Sequence, residues 1–178
     1  MRRFLPLLAV AAVVVVPMAA QAQTFLGPQA GVYLPTSSFL RDKLGESWFS
    51  FGAGRMNMNQ ARTRKFGSDF NVTSKRANGN ALFMAAASYG IVSPLGDPQA
   101  TTRPYWAVRG GLSYIDYAIS DGLARHSGKR LGYNFNAEIG IIFQDRLSLS
   151  ARYDFFSQHE GINFNGFSIN LKYGLAKF

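Results

Sequence analysis

The chain closes on Gly166-Phe167-Ser168-Ile169-Asn170-Leu171-Lys172-Tyr173-Gly174-Leu175-Ala176-Lys177-Phe178. Phe167, Ile169, Leu171, Tyr173 and Leu175 fall on one parity, and Ser168, Asn170, Lys172 and Gly174 on the other. Successive side chains of a β-strand point to opposite faces, so this run predicts a final strand with one apolar and one polar face. The alternation slips at Ala176-Lys177, which puts Phe178 on the even parity. A bulge, or a strand ending near Leu175, absorbs such a slip.

The same period recurs upstream. Tyr133, Phe135, Ala137, Ile139, Ile141 and Phe143 alternate with a polar set broken only by Ile142. After the turn Gln144-Asp145-Arg146 the apolar parity resumes through Leu147, Leu149, Ala151, Tyr153 and Phe155, which predicts an antiparallel hairpin. Residues 103–115 and 80–91 read as two more strands. Residues 48–58 read as a strand whose apolar parity switches at Gly52-Ala53-Gly54, as a glycine-rich bulge allows. Residues 65–73 alternate weakly, and residues 25–34 need Pro28 at an unpaired or bulged position. The tally is eight strands of roughly 10 residues, the length a tilted strand needs to cross a bilayer.

At the other end Arg2 and Arg3 precede an apolar run, Phe4 to Val16, then Pro17 and the small-x-small site Ala20-Gln21-Ala22. That pattern predicts a secretory leader over 1–22, too short and proline-broken to be a membrane helix. A single domain, residues 23–178, follows. The chain has no Cys, which excludes disulfides, thiolate metal sites and cysteine catalysis. Mean hydropathy is −0.03, as expected where apolar content sits in every second residue. The formal charge of +9 comes with no nucleic-acid motif, so anionic lipid headgroups are the expected counterpart.

These readings combine into an all-β fold: an eight-stranded antiparallel up-and-down transmembrane β-barrel. With both termini on the inner side, the outer loops are residues 35–47, 74–79, 116–129 and 157–163, and the inner turns are 59–64, 92–102 and 144–146. Trp and Tyr near strand ends suit the two headgroup levels.

Across residues 23–178 the chain resembles the small bacterial outer-membrane barrels of the OmpA/OmpX/OmpW kind. The resemblance implies residence in the outer membrane and insertion by the barrel-assembly machinery. That machinery is thought to read a terminal strand signal, which falls here on Tyr173, Leu175 and Phe178. It also raises an enzymatic alternative, since some barrels of this size modify lipid A. Ser157, His159 and Glu160 bring hydroxyl, imidazole and carboxylate together, but in an order unlike that of the known deacylases, and a polar loop explains the same residues.

An eight-stranded interior is filled by side chains or holds one small ligand. The inward parity carries Arg109, Glu138, Arg152, Asp154 and Lys172, charges of both signs. An unpaired buried charge is very costly, so they are expected to form a paired network that plugs the lumen. The outer loops carry Arg41, Lys43, Lys75, Arg76, Arg125, His126, Lys129 and Arg130, suited to the phosphates of lipopolysaccharide or other surface anions. Two isolated histidines give no metal-ligand spacing. The competing fold is a soluble lipocalin-like barrel around an apolar ligand, disfavoured because the apolar parity is too bulky to pack inside eight strands. The expectation is a monomeric, non-enzymatic, structural or surface-binding barrel without cofactor, in contact with outer-membrane lipid and lipopolysaccharide.

Overall fold

The computed structural model describes residues 24–57, 65–97, 100–120, 122, 124–144, 146–174 and 176–177. The leader, the whole of the first inner turn, Leu175 and Phe178 lie outside the described residues. The wall consists of β1 (Thr24–Pro35), β2 (Trp48–Asn57), β3 (Lys65–Ala77), β4 (Asn80–Pro94), β5 (Thr102–Ser120), β6 (Arg125–Phe143), β7 (Leu147–Phe156) and β8 (Gly166–Tyr173), with a two-residue continuation β9 (Ala176–Lys177). Each strand pairs antiparallel with the next, and β1 pairs with both β2 and β8, so the sheet closes into an eight-stranded barrel. Closure is what hydrocarbon demands, because no water is present there to satisfy a free backbone edge.

Alternation sorts the side chains between the two sides of the wall. Ile139, Tyr133 and Phe155 are 67%, 67% and 51% exposed on the outside, whereas Glu138, Asn134 and Asp154 are buried within. Apolar outside and charged inside is the reverse of a soluble barrel, and it excludes the lipocalin-like alternative.

The irregularity at the end of the chain is a bulge. Gln29 pairs with Lys172, but Leu26 pairs with Ala176, so the terminal strand carries one more residue than β1 across this interval. The shift moves even-numbered positions of the terminal segment onto the parity that odd numbers hold in β8. Pro28 sits opposite the bulge, where the β1–β8 ladder is interrupted and its missing N–H is not needed.

Four sequence expectations are corrected. The parity of β2 does not switch: its register runs unbroken from Tyr33↔Trp48 to Thr24↔Asn57, with Phe49 and Phe51 outside and Trp48 and Ser50 inside. Gly52 falls on the inward parity, where a Cβ would collide with the Phe70 carbonyl, so glycine serves close strand approach there and not a bulge. Residues 74–79 are not a loop, because β3 and β4 meet in the two-residue turn Asn78-Gly79, with φ of 51° and 76° as a type I′ hairpin requires. Residues 116–129 are mostly strand too, since β5 and β6 run 19 residues each, well beyond the membrane-crossing length. Lys75, Arg76, Arg125, His126, Lys129 and Arg130 therefore stand on strands that project outward.

The first outer connection contains a helix, α1 (Ser38–Leu44). The Ser37 side chain accepts from the Leu40 amide at 3.4 Å, and Gly45, at φ 90°, ends the helix with its N–H on the Arg41 carbonyl at 2.7 Å. Leu40 and Leu44, one turn apart on one face, are fully buried.

Candidate functional site in the bore and at the outer rim

The bore is filled in three layers. At the inner end Val92, Tyr105, Ala107 and Ile142 form a small apolar cluster. At the outer end Tyr33, Leu40, Leu44, Trp48, Ile162 and Phe164 belong to a larger one, to which α1 and the segment before β8 contribute. Tyr33 stacks on Trp48 with ring centroids 5.5 Å apart, and its hydroxyl donates to the Phe164 carbonyl.

Between them lies one chain of ion pairs in which cation and anion alternate. Arg109 of β5 donates to Glu138 Oε2 of β6 at 2.6 Å, and Lys172 of β8 reaches Glu138 Oε1 at 2.8 Å. Lys172 also lies 3.3 Å from Asp69 Oδ2 of β3. Arg152 of β7 meets Asp69 Oδ1 at 2.7 Å and Asp154 Oδ2 at 3.0 Å. Neutral groups complete the set: Tyr105 and Ser168 donate to Glu138 and Asp154 respectively, and Asn136 accepts from Arg109 at 3.3 Å. In a closed ring of eight strands, β3 and β7 stand opposite each other, so the Arg152–Asp69 bond spans the bore.

All five residues expected inside are brought together, and three cations face three anions once Asp69 is counted. Sequence reading missed Asp69 because residues 65–73 alternate weakly. The signal was the polar parity Asp69, Asn71, Thr73 opposite Phe66, Phe70 and Val72. Such charges tolerate burial because each has a counter-charge within hydrogen-bond distance, whereas loss of one partner leaves an uncompensated ion.

The basic residues of the outer rim are dispersed. Arg41 donates to the Pro35 and Thr36 carbonyls at 3.3 and 3.2 Å, and Lys75 donates to the Ser47 carbonyl at 3.3 Å, so both tie the first outer connection down. Lys43 lies on α1, and its carbonyl accepts from the Asn80 side chain at 3.2 Å. Lys129 is 3.8 Å from Asp116, and Arg130 is 3.5 Å from Glu160, both pairs exposed. Arg76 and Arg125 are exposed.

Ser157 Oγ and His159 Nε2 are 3.3 Å apart. Glu160, at φ 52°, turns its carboxylate to Arg130. The segment therefore supplies a hydroxyl–imidazole contact, with the third group directed elsewhere. Among the described residues no group of three His, Cys, Asp or Glu is placed to hold a metal ion.

A closed barrel with an apolar exterior, a charged interior and membrane-crossing strands defines a transmembrane β-barrel. Residues 8–174 match the family model described as outer membrane protein beta-barrel domain, and the chain belongs to that family. It resides in the bacterial outer membrane. No curated protein matches the chain in sequence. Among solved structures it is similar to Ail, the attachment invasion locus protein of Yersinia pestis, at TM-score 0.60 and 11% identity, covering 86% of this chain and 99% of that one. Neisserial surface protein A matches at TM-score 0.58 and 13% identity, covering 85% and 96%. The outer membrane enzyme PagL matches at TM-score 0.53 and 11% identity, covering 85% and 99%. A second structure of Ail is in complex with the heparin analogue sucrose octasulfate. At these identities the likeness is one of fold.

Proposed function

We propose that this protein is a shut barrel with a structural and surface-binding role, whose outer basic groups take anionic groups of the outer leaflet, lipopolysaccharide phosphates foremost. The observation that carries the reading is the alternating chain of ion pairs that crosses the bore between two apolar layers. With the interior filled, the outer surface is what remains for recognition. Each Lys or Arg near an anionic surface contributes about 1 kcal/mol, so Arg76, Arg125, Lys129 and Arg130 together suffice for a salt-sensitive lipid contact. That Ail was captured with a polysulfated sugar supports the anion chemistry by analogy of fold alone. The reading includes removal of residues 1–22, residence of 23–178 in the membrane as a monomer, and insertion by the barrel-assembly machinery.

The test has two arms. In planar bilayers the purified protein is expected to give no stable ion steps, and regular steps overturn the shut bore. In vesicles, binding to lipopolysaccharide is expected to fall when its phosphates are removed or salt is raised; indifference to both overturns the anion contact.

The Ser157–His159 contact favours a second reading, a lipid A hydrolase. The direction of Glu160 weighs against it. Release of fatty acid from lipid A by the refolded protein, lost in Ser157→Ala, establishes that reading, and no release ends it.

A further inference from the structure

We infer that the inward face of outer β6, with the 157–164 segment folded over it, is a binding site for a neutral oligosaccharide. The parity that points Glu138, Asn136 and Asn134 into the bore continues outward through Gly132, Arg130, Gly128 and His126. Tyr117 of β5 stands opposite Gly128, and its hydroxyl lies 3.2 Å from where a Cβ on that glycine would be. At Gly132 a Cβ would collide with Ser157 Oγ and come within 3.2 Å of His159 Nε2. Glycine at this position lets that hydroxyl and imidazole settle on the sheet.

The segment is held there by its own packing. Ile162 and Phe164 are buried in the outer apolar cluster, with the Phe164 ring 5.5 Å from that of Tyr117 between centroids. Before them the chain turns at Glu160 and Gly161, at φ 52° and 76°, and the Ile162 amide donates to the His159 carbonyl at 2.9 Å. That turn brings Glu160 to Arg130 at 3.5 Å. The outcome is a strip of polar side chains along one face: Tyr117, Arg130 with Glu160, then Ser157 with His159. Gly128 and Gly132 mark its ends, about 13 Å apart along the strand, a length that suits a short oligosaccharide better than a single sugar ring.

One member of the strip calls for a ligand. Tyr117 is 1% exposed, yet its hydroxyl has no partner at hydrogen-bond distance among the described residues, although Glu160 and Arg130 lie near it. A buried hydroxyl without a partner is costly, so a ligand that supplies one gains affinity. The Arg130–Glu160 pair beside it is long and exposed, and a ligand parts it at little cost.

Charge balance selects the ligand class. One carboxylate accompanies the one guanidinium, and hydroxyl and imidazole groups make up the rest, so at neutral pH the strip both donates and accepts without net charge. A phosphate or sulfate would meet Glu160 as a like charge. A sugar diol donates to the carboxylate and accepts from the guanidinium together, and its further hydroxyls match Tyr117, Ser157 and His159. Arg125 and Lys129 fall on the opposite parity and face away. The inference shares Arg130 with the proposed function but needs neither a shut bore nor a phosphate contact.

The test uses the isotope-labelled full barrel refolded in a phosphocholine detergent, which carries no sugar. The probes are maltose, lactose and chitobiose, with glucose 6-phosphate for comparison. At least one neutral disaccharide is expected to shift the Gly128, Gly132 and Ser157 amide signals saturably, with no loss of affinity when salt is raised. Tyr117→Phe, which keeps the ring against Phe164, is expected to weaken that binding several-fold, and so is Glu160→Gln; heat-dependent gel mobility verifies that both barrels are folded. The second variant separates the ligand classes by sign, because removal of a like charge strengthens an anion. No shift with any of the three disaccharides, or affinity unchanged in either variant, overturns the site. Tighter binding of the sugar phosphate than of every disaccharide, or a gain in affinity on Glu160→Gln, overturns the neutral ligand.

Discussion

The middle of the bore and its outer mouth are both densely filled, yet by opposite means. In the middle, long charged side chains from β3, β5, β6, β7 and β8 meet across the barrel in alternating sign. At the mouth, Leu40 and Leu44 of α1 join Trp48, Ile162 and Phe164 in an apolar cluster. The middle is built by the wall alone, so every member is fixed by strand register. At the mouth, wall side chains are joined by α1 and the segment before β8, and these two pieces lie between strands, so they can loosen without opening the wall. The two regions should therefore fail differently: removal of one charge in the middle strands its partners, while a truncation at the mouth loses only contact and leaves a small cavity.

The largest effect is expected from Glu138→Ala. It removes the acceptor shared by Arg109, Lys172 and Tyr105 and leaves three cations against two anions, which should cost about 3 to 5 kcal/mol in urea unfolding of the refolded barrel. A smaller loss than that at the mouth would break the contrast. Ile139→Arg, one residue away on the lipid side, should cost roughly 2 to 4 kcal/mol in the same assay and lower the yield of inserted protein. Leu44→Ala is expected to cost about 2 kcal/mol, confined to the mouth: proteolysis of the first outer connection accelerates while the urea midpoint of the wall holds. Ser37→Ala removes the N-cap of α1, worth about 1 kcal/mol, and should raise the same proteolysis rate by a smaller factor. Lys129→Ala breaks only an exposed pair, and its urea midpoint should shift by less than about 1 kcal/mol.

Much of the wall was legible because one physical rule, period two with lipid on one side, acts on every strand. Residues 133–143 and 147–155 could be read nearly to their ends, since the turn at 144–146 breaks the pattern cleanly. The outer ends could not. Above the membrane the lipid-facing parity no longer has to be apolar, so Lys129 beside Leu131 resembled a loop although β6 continues to Arg125. Asn78-Gly79 was the one short-range hairpin signal that would have corrected residues 74–79. In β2 the inward glycines weakened the polar parity and suggested a bulge, while the real bulge lay at the terminal slip. Asp69 escaped because its strand alternates faintly, and only the opposing position of β7 shows that it completes the charge balance.

The sequence by itself determined the barrel, its compartment and the five charged residues on the inward side, because alternation and burial cost are local properties of a strand in a bilayer. Which cation meets which anion, the crossing of the bore by Arg152 and Asp69 and the helix that closes the mouth were decided only by the closed tertiary structure. Those features depend on register and on which strands stand opposite, and both are fixed only when the eighth strand returns to the first.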